Sequence, residues 1–133
     1  MMAIYIATQQ PIEKMCDILR KYKTGVEVQH FCNPSRLDNY EDYIESIKDC
    51  ISDTDRRSLH APFFDLHPAS MDNKVRGVAL DRFIKAYNIA IELEVKNIVF
   101  HTGYSFCFKP DNHTIKRFGE FWNTFLNQRD ESI

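Results

Sequence analysis

Two histidines occupy chemically suggestive places. His60 lies in "SLHAPF", followed by Ala61 and a proline, and His101 lies in "IVFHTG", followed by Thr102 and Gly103. Each closes a short stretch that reads as a β-strand. Neutral imidazole is the commonest protein ligand for zinc and suits other divalent transition metals. If the two runs are adjacent parallel strands, about 5 Å apart, the rings ending them are neighbours. Glu27 and Gln29 in "TGVEVQHF" add a carboxylate and an amide at alternating positions of another strand. A histidine at a strand end can equally be a hydrogen-bonded structural residue, and that reading stays open. A zinc site takes three or four protein ligands. The pair supplies two, leaving Glu27 either as a third or as a carboxylate bonded to a neighbouring polar group. Asp65 and His67 follow His60 in its loop, and Tyr104 follows His101. His30 falls on the opposite strand face, where packing or capping is expected, and His113 is expected in solvent.

The elements that must position these groups are legible. "MAIYIAT" reads as a strand, and Pro11 suits the first turn of a helix on which Ile12, Met15, Cys16 and Leu19 recur at helical spacing. Gly25 reads as a helix stop or turn before the strand "TGVEVQHF", which Asn33-Pro34 should break. Tyr40, Tyr43, Ile44, Ile47 and Ile51 mark a second helix, and "SLHAP" a third strand. Asn73 to Glu94 predicts a long helix with Val75, Ala79, Phe83, Ala86, Tyr87, Ala90 and Leu93 on one side. "KNIVFHTG" is a fourth strand. Pro110-Asp111-Asn112 opens a last helix carried by Ile115, Phe118, Trp122, Phe125 and Leu126.

Four strand-helix units in alternation predict an α/β fold with a parallel sheet covered by helices. The strand faces choose between an open doubly wound sheet and part of a barrel. Ile4, Ile6, Val26, Val28, Leu59, Ala61, Ile98 and Phe100 make one uniformly apolar face. The other face carries Ala3, Tyr5, Ala7, Glu27, Gln29, Ser58, His60, Val99 and His101. Central strands of an open sheet are apolar on both sides, whereas a mixed polar face suits the interior of a barrel that lines a site. A full (β/α)8 barrel needs about 250 residues, so 133 residues supply roughly half.

Seventeen basic and nineteen acidic side chains leave a net charge of -2, with 44% hydrophobic residues. That balance is globular and lacks the basic footprint of a nucleic-acid binder. No apolar run approaches a membrane span, so no membrane role is expected and the cytoplasm is the default location. Cys16, Cys32, Cys50 and Cys107 form no C-x-x-C pair. A disulfide framework is not expected in a cytosolic chain, and Cys16 and Cys50 read as small apolar fillers on buried helix faces. Cys32 and Cys107 fall near the same edge as the histidines, but no spacing supports cysteine-histidine catalysis. No nucleophile elbow, dinucleotide-binding glycine pattern or phosphate loop is present.

Taken together, "TGVEVQHF", "RSLHAPFFDLHP" and "KNIVFHTGYS" resemble the first half of the xylose isomerase-like TIM-barrel superfamily. This superfamily holds sugar-phosphate isomerases and epimerases and the endonuclease IV type of apurinic/apyrimidinic endonuclease. The resemblance runs the whole length and implies a single N-terminal half-barrel domain over residues 1–133. In the endonuclease branch it makes His60 and His101 zinc ligands. In the isomerase/epimerase branch it makes Glu27, His60 and His101 contacts to sugar hydroxyls. There the divalent metal (Zn, Mn or Mg) and the acid-base carboxylates come mainly from strands five to eight. The sequence stops at "QRDESI", where a fifth strand would begin. A missing C-terminal half or a half-barrel that assembles as a homo-oligomer is therefore expected, and no catalytic residue is assigned. The leading expectation is a metal-dependent isomerase or epimerase acting on a small sugar or sugar phosphate. A zinc-dependent endonuclease and a non-catalytic half-barrel binding a small polyol are the alternatives. Near-neutral charge disfavours nucleic acid as the partner.

Overall fold

The computed structural model describes residues 4–7, 11–102, 111–127 and 129. Ala3, Gly103, Tyr104, Cys107 and Pro110 lie outside the described residues. The chain runs β1 (Tyr5–Ala7), α1 (Ile12–Tyr22), β2 (Gly25–Val28), a 3-10 turn (His30–Cys32), α2 (Pro34–Asp38) and α3 (Glu41–Ile51). It continues through β3 (Arg57–His60), α4 (Asn73–Glu92), β4 (Ile98–Val99) and α5 (Asn112–Leu126).

The four strands form one parallel sheet in the order β1-β2-β3-β4. An open doubly wound sheet reverses its strand order at a switch point. Here each strand lies beside the next in sequence, as in a barrel wall. Ile6 pairs with Val26, Val28 with Leu59 and Leu59 with Ile98. Val26, Val28, Leu59 and Ala61 are completely buried under the helices, as the alternation predicted, whereas Ile4, expected on the same face, lies before β1 and is 56% exposed. The opposite face leaves Tyr5 44% and Val99 40% exposed.

Local chemistry sets the helix ends. The Asp72 carboxylate accepts from the Lys74 amide at 2.7 Å, and Asp111 from the Thr114 amide at 2.7 Å. Both are N-caps that satisfy otherwise orphaned donors. Helix α1 ends at Lys23, which adopts the left-handed conformation with φ of 49°. Gly25 is not that stop but the first residue of β2, where a Cβ would meet the Tyr5 ring at 3.0 Å. β2 is shorter than expected. The chain leaves the sheet after Val28, turns through His30–Cys32, and uses Asn33 as a cap for α2, accepting from the Ser35 amide at 2.9 Å. Asn33-Pro34 thus starts a helix and does not break the strand, which has already ended at Val28; proline suits the first helical position.

Two apolar clusters fill the structure. One joins the sheet to α1, α3 and the C-terminal half of α4, and the other joins α4 to α5 around Phe83. The predicted α4 face is buried from Ala79 onward, while Val75 lies exposed. On α5 the buried positions are Phe121 and Phe125, whereas Ile115 and Leu126 face outward. Among the described residues no helix is long and apolar enough to cross a membrane.

Cys16 and Cys50, expected as free apolar fillers, are joined by a disulfide with their Cα atoms 5.0 Å apart. The expectation failed because it weighed each helix alone, and packing α1 against α3 brings the two sulfurs face to face. The bond closes a loop of sequence separation 34, and such crosslinks stabilise by about 2–4 kcal/mol through the unfolded chain. Reduction under native conditions is expected to lower the free energy of unfolding by that amount. Urea titration with and without dithiothreitol measures the difference.

His30 packs as expected, buried between the Phe31 and Tyr43 rings at 5.5 and 4.6 Å, its Nε2 without a hydrogen-bond partner. Burial, and secondarily the Arg36 guanidinium, push its pKa down to about 4. The folded state therefore binds the proton less readily than the unfolded chain, whose histidines titrate near 6.5. The associated stability is fully present above about pH 6.5 and is lost as pH falls towards 4, by about 3 kcal/mol at most. Unfolding titrations between pH 7 and 4 should show this loss, and His30→Phe should flatten it.

Candidate functional site

The site is built at the carboxyl edge of the sheet. β3 ends on His60, and the ladder extends one step further, the Ala61 amide donating to the Val99 carbonyl at 2.9 Å. His60 pairs in register with Val99 rather than with His101. The two histidines are therefore offset by two residues, not level, and their rings meet along the diagonal between strands. Their Nε2 atoms lie 3.1 Å apart and their ring centroids 4.8 Å. His60 is only 8% exposed, whereas His101 is open to solvent.

Three groups hold this pair. The His60 Nδ1 lies 3.0 Å from the Ala61 carbonyl oxygen. The Cys32 sulfur lies 3.4 Å from the same Nδ1 and donates to the His60 carbonyl at 3.4 Å. Phe63 stacks on His101 with centroids 4.6 Å apart and planes at 19°, and meets His60 edge-on at 5.1 Å. Phe64 lies against Phe63 at 4.2 Å and is exposed. Sequence spacing did not single out Cys32 as a neighbour of His60, nor Phe63. The available signal was the aromatic pair directly after "HAP".

Glu27 lies one pleat repeat deeper, pairing with Ser58 on β3 and Ala7 on β1. Its Oε1 accepts from the Gln29 amide at 2.6 Å, a partner from just beyond the end of β2 and not from a neighbouring strand. Among the described residues no group of three His, Cys, Asp or Glu side chains is arranged to hold a metal ion. The structure gathers His60 with His101 and sets Glu27 below them, bonded to Gln29. Asp65, His67 and His113 are exposed. Burial, and then the Glu27 charge, raise the Cys32 thiol to about 11. At neutral pH it is a thiol, not a thiolate nucleophile, which argues against a catalytic cysteine despite its contact with His60.

Residues 18–132 match the family model described as Xylose isomerase-like TIM barrel. The chain belongs to the xylose isomerase-like TIM-barrel family. Solved structures agree on the fold. TTHB071 protein from Thermus thermophilus, from a crystal soaked with ZnCl2, superposes with a TM-score of 0.75 at 23% identity. The match covers 95% of this chain and 50% of that one. A D-tagatose 3-epimerase-like protein gives a TM-score of 0.67 at 18% identity, covering 95% of this chain and 48% of its own. This xylose isomerase-like chain thus spans about half the length of these two structures. Uncharacterized protein MJ1311 of Methanocaldococcus jannaschii is 44% identical over 46 residues, 35% of this chain and 16% of that protein. In such a barrel, functional groups gather at the carboxyl ends of the strands, and that is the edge where His60 and His101 meet.

Proposed function

We propose that the chain contributes half of the site of a metal-dependent sugar or sugar-phosphate isomerase or epimerase. The observation that carries the reading is the 3.1 Å approach of the His60 and His101 Nε2 atoms at the carboxyl edge. Two nitrogens bound at 2.0–2.1 Å to one tetrahedral zinc ion stand about 3.3 Å apart. The donor set suits a divalent transition ion, and in this reading His60 and His101 would hold it as two of its ligands, in place of the sugar-hydroxyl contacts that the isomerase resemblance implies. A bound ion would supply Lewis-acid stabilisation of an oxyanion beside a carbonyl.

Glu27, lying deeper on the same face, and its partner Gln29 offer an acceptor and a donor to sugar hydroxyls, and Phe63 offers an apolar wall. Proton transfer next to a carbonyl needs positioned acid-base groups. In this reading they come from further strands, of the remainder of a longer chain or of a second copy. Among the described residues β1 and β4 are the edge strands, and with the exposed Tyr5 and Val99 they suit such closure, because uncovered strand edges invite pairing. One structural neighbour, the D-tagatose 3-epimerase-like protein, is of the same class.

The assay is interconversion of ketoses and their phosphates, with Zn, Mn or Mg added, by the complete barrel containing this chain. Turnover that needs the metal and is lost on His101→Ala supports the reading. Inactivity on all sugars, with cleavage of an abasic-site DNA duplex instead, would replace it with the endonuclease.

A further inference from the structure

We infer that Cys32 is a positioning residue for His60, holding the ring so that Nε2, not Nδ1, carries the free lone pair facing His101. This rests on the reading of His60 and His101 as ligands and deepens it, for the metal-binding nitrogen of a histidine is set by what its other nitrogen bonds.

The hydrogen count around Nδ1 is constrained. A carbonyl oxygen is an acceptor only, and Ala61 O lies 3.0 Å from Nδ1. A lone pair on Nδ1 would face a lone pair on that oxygen, so Nδ1 carries the hydrogen and donates it. The Cys32 sulfur sits 3.4 Å from the same nitrogen. Its own hydrogen has carbonyl acceptors, His60 O at 3.4 Å and Ala61 O at 3.7 Å. The sulfur is then free to accept weakly from Nδ1–H. Cys32 thereby links the ring of His60 to the main chain that ends β3.

What brings Cys32 there is the 3-10 turn after β2, closed by the Cys32 amide donating to Gln29 O at 3.1 Å. Continuing β2 as a strand, as the sequence pattern suggested, would break that contact. The thiol is buried and is the component of the ring's support most easily altered without touching a ligand.

The test uses two-bond 1H–15N correlation spectra of the imidazoles in the chain at pH 9, together with zinc affinity by competition. In the wild type His60 is expected in the Nδ1–H form. Cys32→Ala, which removes the sulfur, is expected to let the ring turn away from Ala61 O, to admit a sizeable Nε2–H population and to weaken zinc binding about tenfold, the lower end for outer-shell losses. Cys32→Ser keeps a donor and acceptor and should restore both. A wild-type His60 protonated on Nε2 overturns the inference, as does a folded Cys32→Ala with unchanged tautomer and affinity. Should Cys32→Ala fail to fold, Cys32→Ser decides: loss of the Nδ1–H form there also overturns it. A wild type that binds no zinc at the pair yet shows the predicted tautomers and their response to Cys32→Ala removes the metal reading and leaves the positioning role intact.

Discussion

Phe83→Ala is expected to cost about 3–5 kcal/mol of folding stability, the range for emptying a buried aromatic site. Phe83 is completely buried and stands where α4, α5 and the end of β4 converge. Its ring meets Phe100 at 4.8 Å, Phe121 at 5.5 Å and Trp122 at 5.7 Å. The rings around it are rigid, so much of the cavity should persist. Phe100 precedes His101, and loosening it should also blur the placement of His101. Chemical denaturation measures the stability loss. A loss under about 1 kcal/mol, far below the range for a buried aromatic, would mean that α5 does not pack on α4 as described.

The second large effect is at the site. His101→Ala should weaken zinc binding at least tenfold, since losing an outer-shell partner alone costs roughly 10–100-fold. Because His101 is exposed and its ring is held chiefly by stacking on Phe63, stability should change little. His60→Ala should weaken zinc binding equally but also destabilise the chain, because it empties a buried position and removes the partner of Ala61 O and Cys32. The contrast between the two variants separates a ligand role from a structural one. Equal destabilisation with unchanged zinc affinity would favour the structural reading of both histidines.

Much of this was legible because periodic signals are strong where burial is one-sided. The spacing of Ala79, Phe83, Ala86 and Ala90 reports the buried face of α4, and strand alternation put Val26, Val28 and Leu59 under the helices. The same alternation put His60 and His101 on the other face. Features without a period were not legible. The 3-10 turn at His30–Cys32 depends on tertiary packing, and strand alternation in "TGVEVQHF" runs on into it and conceals it. The contact of Cys32 with His60 follows from that turn, and the Cys16–Cys50 bond from the packing of α1 on α3. The face of α5 was misread in part, because aromatic residues are so dense there that several faces look apolar. Phe121 is buried where Ile115 and Leu126 were expected.

The central claim is that His60 and His101 form one ligand site through their Nε2 atoms. Titrating the chain with ZnCl2 while following the imidazole nitrogens by NMR tests it most directly. The Nε2 signals of His60 and His101 are predicted to move together and saturate together, while His30 stays unchanged and His67 and His113 respond only to excess metal. Shifts at His67 and His113 first, with the His60–His101 pair unmoved, would contradict it.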